Sequence, residues 1–363
     1  MVGTGLVVLA VLAVAGVLAL VFYPEGDSGR GAPPPPAGAI PLGILGDSGS
    51  HAYQDQIAFP PGSPERGGAL RPKTFNWTEI LARLRGNEID MGPWVEWGQP
   101  RLVAWARERI GMLGPRSPVK QDYLYNFSNS GAICANLMGT RNRQAPRLVA
   151  MMDRDPALWR RGVVLIKLGG ADFSGLLDSA GSAPAPPDVR AAADYCAGQM
   201  AQAIALIRKN HPETRIMVFG VAGEDLDPLQ SDRWRSASET ANMKASLGAF
   251  NAAFRALTIG KPGMAFFDER AWQEQKIGPR HADGTPDYKT VVLGDKLRVT
   301  NTVGDDPHNM VLADDHYGVV MNALWAQSFV ARLKEDFGLP LTPISDEELL
   351  RFLEPLVGPA KTG

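Results

Sequence analysis

"ILGDSGSHAYQD", Ile44 to Asp55, closes an apolar run on Gly-Asp-Ser and continues with Gly49, Ser50 and His51 where more core would be expected. The run from Ile40 to Leu45 has the composition of a strand buried on both faces. A serine at the C-terminal end of such a strand stands where parallel α/β sheets open their ligand crevice. Ser48 is therefore a candidate nucleophile, and the fold depends on whether similar strands lie beside this one.

Three more segments have the same character: "VVLIKL" (Val163 to Leu168), "RIMVFGV" (Arg215 to Val221) and "MAFF" (Met264 to Phe267). All are short and nearly continuous in apolar residues, as strands covered on both faces are. Helical patterns separate them. Asn76 with Glu79 three residues on predicts a capping box opening "WTEILARLRG". Cys196, Met200, Ile204 and Ile207 form one helical stripe, and Met243, Leu247, Phe250, Phe254 and Leu257 another. Ser345 with Glu348 caps a terminal helix, "SDEELLRFLEPL". Strand alternating with helix predicts an α/β fold with a parallel central sheet.

Composition sets the outer limits. The chain has 363 residues, 45% apolar and 21% charged, with a formal net charge of -2, so it can bury one large core and has no general bias towards nucleic acid. Its two cysteines, Cys134 and Cys196, exclude a cysteine metal framework and a disulfide-dense scaffold, and two buried thiols are the preferred expectation over a pair. Val2 to Tyr23 carries no charged side chain. About 22 residues at a rise of about 1.5 Å suffice to cross a hydrocarbon core of about 30 Å. Residues 1–23 are expected to be an uncleaved membrane anchor, preferred to a signal peptide because no basic residue precedes the run. Residues 24–39, containing "GDSGRGAPPPPAGA", read as a Gly/Pro-rich tether, and 40–363 as the folded domain. With only Arg30 soon after the span to set orientation, an extracytoplasmic domain is an expectation.

A serine hydroxyl becomes nucleophilic when a general base takes its proton, so a histidine must reach Ser48. His51 is close enough in sequence to be a local loop residue, His211 precedes Pro212 at a helix end and is expected to be solvated, and His281 lies in a polar stretch. His308 and His316 lie together in "GDDPHNMVLADDHYGVVMNALWAQSFVARL". His316 is preferred, because it immediately precedes a helix from about Gly318 to Leu333 that holds it in place.

"GDSGSHAY", "NFSNSGA", "LGGADF" and "DDHYGVVMNALWAQSFV", in that order, resemble the successive blocks of the SGNH/GDSL hydrolase superfamily. The likeness runs from Leu42 to about Leu333. It implies a three-layer α/β/α flavodoxin-like fold and serine esterase or lipase chemistry, with Ser48 as nucleophile, His316 as base and the backbone N–H groups of Ser48 and Gly131 holding the oxyanion. Two blocks depart from the pattern. The third usually supplies an asparagine donor where this chain has Ala171, which donates nothing from its side chain; Asn129 is the nearest replacement by block. In the fourth, an aspartate commonly stands three residues before the histidine, where this chain has Ala313. Asp314 is therefore preferred as the orienting acid, Asp315 is adjacent, and Asp305 with His308, which has the family spacing, is the alternative pair.

The implied reaction is acyl transfer from an ester of a small molecule, lipid or glycan through an acyl-enzyme, without metal or organic cofactor. Two rivals stand beside it. Asp305, Asp306, His308, Asp314, Asp315 and His316 offer ligands to a divalent ion, as a metal-dependent phosphoesterase would need. Alternatively, Ala171 marks a catalytically weakened module that binds acylated glycans. Trp77, Trp94 and Trp97 are expected in the core rather than along a binding groove. Lys289 to Asn301 is expected to form a surface hairpin, with a flap beside the site as its functional alternative.

Overall fold

The computed structural model describes residues 34–139, 142–294 and 296–358, together with 11–12, 14–19 and 22. More than half of the expected anchor at 1–23 and much of the tether at 24–39 lie outside the described residues. Among the described residues no helix is long and apolar enough to cross a membrane.

Five parallel strands form the central sheet: β1 (Ile40–Gly46), β2 (Ile89–Asp90), β3 (Val163–Lys167), β4 (Arg215–Phe219) and β5 (Met264–Phe267). Their order is β2-β1-β3-β4-β5. That order is compatible with a flavodoxin-like fold, and the topological reversal falls between β1 and β3. The four long apolar strands stand where their composition placed them, to within a residue or two at the ends. The fifth, Ile89–Asp90, is two residues long and too short to leave a periodic signal.

Alternate residues of each strand enter two separate cores. Ile40, Leu42 and Ile44 of β1 and Val163 and Leu165 of β3 face one side. There they pack against α1 (Trp77–Arg85) and α5 (Val319–Phe337). Leu45, Val164 and Ile166 face the other. Here the cover is α2 (Pro187–Asn210) and α3 (Ala237–Ala256), joined by Leu148 and Trp159. Each fully buried aliphatic side chain contributes about 1.5 to 3 kcal/mol, so this two-sided burial fixes the strand register. Gly43 permits the close approach on that second side: a Cβ there would lie 2.9 Å from Leu148 Cδ2.

The capping box at Asn76 and Glu79 is present and opens α1, and the Ser345 side chain accepts from the Glu348 N–H at the start of the terminal helix α6 (Asp346–Val357). Between β5 and α5 lie α4 (Glu269–Ile277) and a three-stranded sheet of β6 (Thr290–Leu293), β7 (Leu297–Val303) and β8 (Asn309–Val311). The hairpin of β6 and β7 buries Leu293, Leu297 and Val299 in the first core. None of its described residues lines the cavity beside Ser48, so it packs as an insertion and not as a flap. Trp77 and Trp97 are buried as expected, whereas Trp94 is 41% exposed.

The two cysteines do not remain thiols. Cys134 and Cys196 form a disulfide with Cα atoms 5.1 Å apart, tying the loop after Ser130 to α2. Burial alone suggested free thiols; what brings the sulfurs together is the packing of residues 135–138 on α2.

Candidate active site

Chain direction reverses at the end of β1, where Gly49 N–H donates to Asp47 Oδ1 at 2.9 Å and Ser50 N–H to the Asp47 carbonyl at 3.2 Å. This tight turn leaves Ser48 half-buried at its tip. Its hydroxyl has no hydrogen-bond partner among the described residues, and it faces a cavity of about 380 Å³. The cavity lies outside the carboxyl ends of β1 and β3, at the topological reversal. Ser48, Ala171, Asp314, Asp315 and His316 all line it. Tertiary folding thus brings the first, third and fourth sequence blocks to one opening.

His316 belongs to a turn fixed at both ends. Leu312 N–H donates to the His316 carbonyl at 2.7 Å, and Gly318 N–H to the Met310 carbonyl at 2.6 Å just before α5 begins. The imidazole Nδ1 lies 2.8 Å from the Asp314 carbonyl oxygen, 3.3 Å from Asp314 Oδ1 and 2.8 Å from Arg66 Nη1. Nδ1 thus faces an acceptor, Asp314, whose Oδ1 otherwise lacks a partner, and a donor, Arg66; of its two tautomers, the one that gives the Nδ1 proton to Asp314 leaves Nε2 able to accept a proton. Burial works against the Asp314 carboxylate, but the hydrogen bond and charge of His316 and the charge of Arg66 outweigh it and hold the carboxyl well below the ordinary range.

Sequence patterning gave no sign of Arg66, in "SPERGGALR". Its side chain is 2% exposed, its backbone is left-handed at φ 56°, and its guanidinium lies 4.5 Å from the Phe59 ring centre. Nη1 donates to Asp314 Oδ2 and Nη2 donates to Ser130 Oγ at 3.2 Å, while the Arg66 N–H donates to Asp314 Oδ2 at 2.8 Å. One buried cation therefore clamps the fourth block to the second.

Ser130 belongs to a further constellation. Its N–H donates to His51 Nδ1 at 3.2 Å, its Oγ lies 3.1 Å from the same nitrogen, and His51 Nε2 lies 2.8 Å from Asp55 Oδ2. An accepting Nδ1 puts the proton on Nε2, donated to Asp55. Burial, and then the charge of Lys120, push the His51 pKa down. His51 is thus more than the local loop residue expected: it fixes the backbone that carries Gly131. That glycine is left-handed at φ 71°. The backbone N–H groups of Ser48 and Gly131 are committed to no other group among the described residues. Gly131 does not itself line the cavity.

Asn129 is turned inward. Its amide nitrogen donates to the Ser117 carbonyl at 3.3 Å and the Phe127 carbonyl at 3.1 Å, so it does not replace the missing asparagine at Ala171. Asp172, beside Ala171, accepts from Cys134 N–H at 2.9 Å and so ties the third block to the second. Lys167, the charged end of an otherwise apolar strand, also lines the cavity. Its Nζ lies 2.7 Å from Glu269 Oε2, and Glu269 Oε1 accepts from Trp325 Nε1 and the Tyr317 hydroxyl, each at 3.1 Å. Burial works against the charge of Lys167, yet Glu269 and Asp47 raise its pKa above the ordinary lysine value.

The alternative pair is not assembled. His308 Nδ1 lies 2.8 Å from Asp306, Asp305 accepts from Ala313 N–H at 3.2 Å, and neither Asp305 nor His308 lines the cavity. His211, expected to be solvated, is 5% exposed and lies 2.9 Å from Asp153, because the end of α2 folds it inward. Three ligand atoms within 4.8 Å of one another occur, among the described residues, at Cys134, Asp172 and Cys196, whose cysteines are bonded to each other. The acidic and histidine residues from Asp305 to His316 do not converge in that way.

No protein-family model matches the chain, and no curated protein matches it either. The fold and the site therefore rest on their own geometry: an α/β domain with a five-stranded parallel sheet, compatible with a flavodoxin-like fold, whose switch-point cavity holds a serine, a histidine and an aspartate.

Proposed function

We propose that the protein is a serine hydrolase of the SGNH/GDSL type that cleaves carboxylic esters, acting as an esterase, lipase or carbohydrate O-deacetylase. The observation that carries this is that Ser48 and His316, from opposite ends of the domain, line one cavity while Asp314 holds the far side of the imidazole. In this mechanism His316 Nε2 takes the Ser48 proton as Oγ attacks the ester carbonyl. The uncommitted N–H of Ser48 stabilises the developing oxyanion, with that of Gly131 as the second donor the resemblance implies, the alcohol leaves with the proton from His316, and water releases the acid. The chemistry calls for no metal or organic cofactor. The apolar segment 2–23 supports a membrane anchor, and the Cys134–Cys196 bond supports an oxidising compartment, which together favour a working domain outside the cytoplasm.

One observation favours a second form of the proposal, a weakened module that binds acylated glycans: Ala171 stands in the cavity where the resemblance expects an asparagine donor. A fluorophosphonate probe separates the two. Wild-type protein is expected to be labelled, and Ser48→Ala to lose both labelling and ester hydrolysis, while Ser130→Ala keeps its label. His316→Ala is expected to lose far more activity than His308→Ala. Label that persists in Ser48→Ala and disappears in Ser130→Ala would move the nucleophile to the His51–Asp55 constellation. No labelling of wild type would leave the binding module.

A further inference from the structure

The cavity beside Ser48 has an acidic wall that the proposed triad does not use. Of its other charged groups, Asp314 pairs with Arg66, Lys167 pairs with Glu269, and Asp47 accepts from Gly49 N–H. Glu224, Asp227 and Asp315 also line the cavity and have no basic partner among the described residues. Ser174 Oγ donates to Glu224 Oε1 at 3.1 Å, and Leu229 N–H donates to Asp227 Oδ1 at 2.7 Å, so two of the three carboxyls are held in place by the protein. Gln273 points to a ligand independently. It is 5% exposed and lines the same cavity, its Oε1 accepts from Gly223 N–H, and its amide nitrogen has no partner among the described residues.

We propose that this wall is a subsite for a cationic amine, so that the preferred substrate carries an ammonium group close to its ester and presents an oxygen to the Gln273 amide. The proposal rests on the ester-hydrolase function and names its substrate class. Three carboxyls that line a half-enclosed cavity without forming an ion pair attract a cation and disfavour an anionic or purely apolar group. Burial, and then the hydrogen bond and charge of Asp315, push Asp227 up to about 9; burial, and then the charge of Asp315, push Glu224 up to about 7. A bound ammonium would supply positive charge that favours the ionised form of Asp227 and Glu224. An organic cation suits the spacing better than a metal ion, because the three carboxyls do not bring their oxygens within 4.8 Å of one another.

The test compares a cation with its neutral isostere on the full chain. Choline and 3,3-dimethyl-1-butanol are titrated calorimetrically into Ser48→Ala, and acetylcholine and 3,3-dimethylbutyl acetate are given to the wild type. Choline is expected to bind at least about tenfold tighter than the neutral alcohol, and acetylcholine to show a correspondingly lower KM. Both preferences should vanish in Asp227→Asn/Asp315→Asn and shrink in Glu224→Gln, which serves if the double variant fails to fold. Equal binding of choline and the neutral alcohol overturns the subsite, as does a preference that survives both sets of substitutions or magnesium binding more tightly than choline. Hydrolysis of both esters with equal KM overturns the subsite and leaves the hydrolase standing. Selective choline binding without any hydrolysis upholds the subsite and overturns the hydrolase.

Discussion

Arg66→Gln removes the cation that joins the Asp314–His316 turn to the Ser130 loop. Breaking a buried ion pair by deleting one partner costs about 3 to 5 kcal/mol, because the other charge is left behind. Two features put the cost at the lower end. The Asp314 side chain is 17% exposed, and the residue-66 N–H still donates to its Oδ2 at 2.8 Å after the substitution. The expected loss in unfolding free energy at pH 7 is therefore about 3 kcal/mol by the same reckoning. Asp314 titrates well below its ordinary value in the folded chain, so its stabilisation is complete above the unfolded pKa of about 3.9 and is lost as pH falls through the folded one. The difference between wild type and Arg66→Gln should be largest from about pH 5 upward and close as pH falls below about 4. Urea unfolding followed by tryptophan fluorescence measures it, the buried rings of Trp77 in α1 and Trp325 in α5 having their centres 4.4 Å apart. A loss under about 1 kcal/mol, or one unchanged between pH 7 and pH 3, would show that solvent screens the pair as it does at a surface and would refute the clamp.

Ala171→Asn restores the donor that the third block lacks. Ala171 is exposed at the cavity and Asn129 is committed elsewhere, so the larger side chain has room and no replacement to displace. Turnover on an activated ester should rise, by up to about a hundred- to a thousandfold, with little change in KM; a folded variant with unchanged turnover counts against a donor-deficient site. Reduction of Cys134–Cys196, or the Cys134→Ser/Cys196→Ser pair, opens a loop with a sequence separation of 62 and should cost about 4 kcal/mol by the chain-entropy relation. Urea midpoints with and without reductant check it, and coincident curves would show the bond contributes little.

Sequence alone determined the parts of this protein whose physical cause is local. Four strands were legible because each is buried on both faces and so is apolar at nearly every position, a pattern needing no knowledge of neighbours. The cap at Asn76 and the helix after His316 were legible because capping and 3.6-residue periodicity act within a few residues. Ser48 and His316 stood out because each borders such an element. The edge strand Ile89–Asp90 was not legible: two residues paired to one neighbour leave no period. Nor were Arg66, Lys167 or His51, whose roles come from charges and hydrogen bonds that cross from one block to another. Only tertiary structure decided that Asp314 and not Asp305 reaches the cavity, that Asn129 turns inward, and that Cys134 meets Cys196. In each case chemically similar residues competed for one role. What separated them was distance in space, which the order of residues along a chain does not encode.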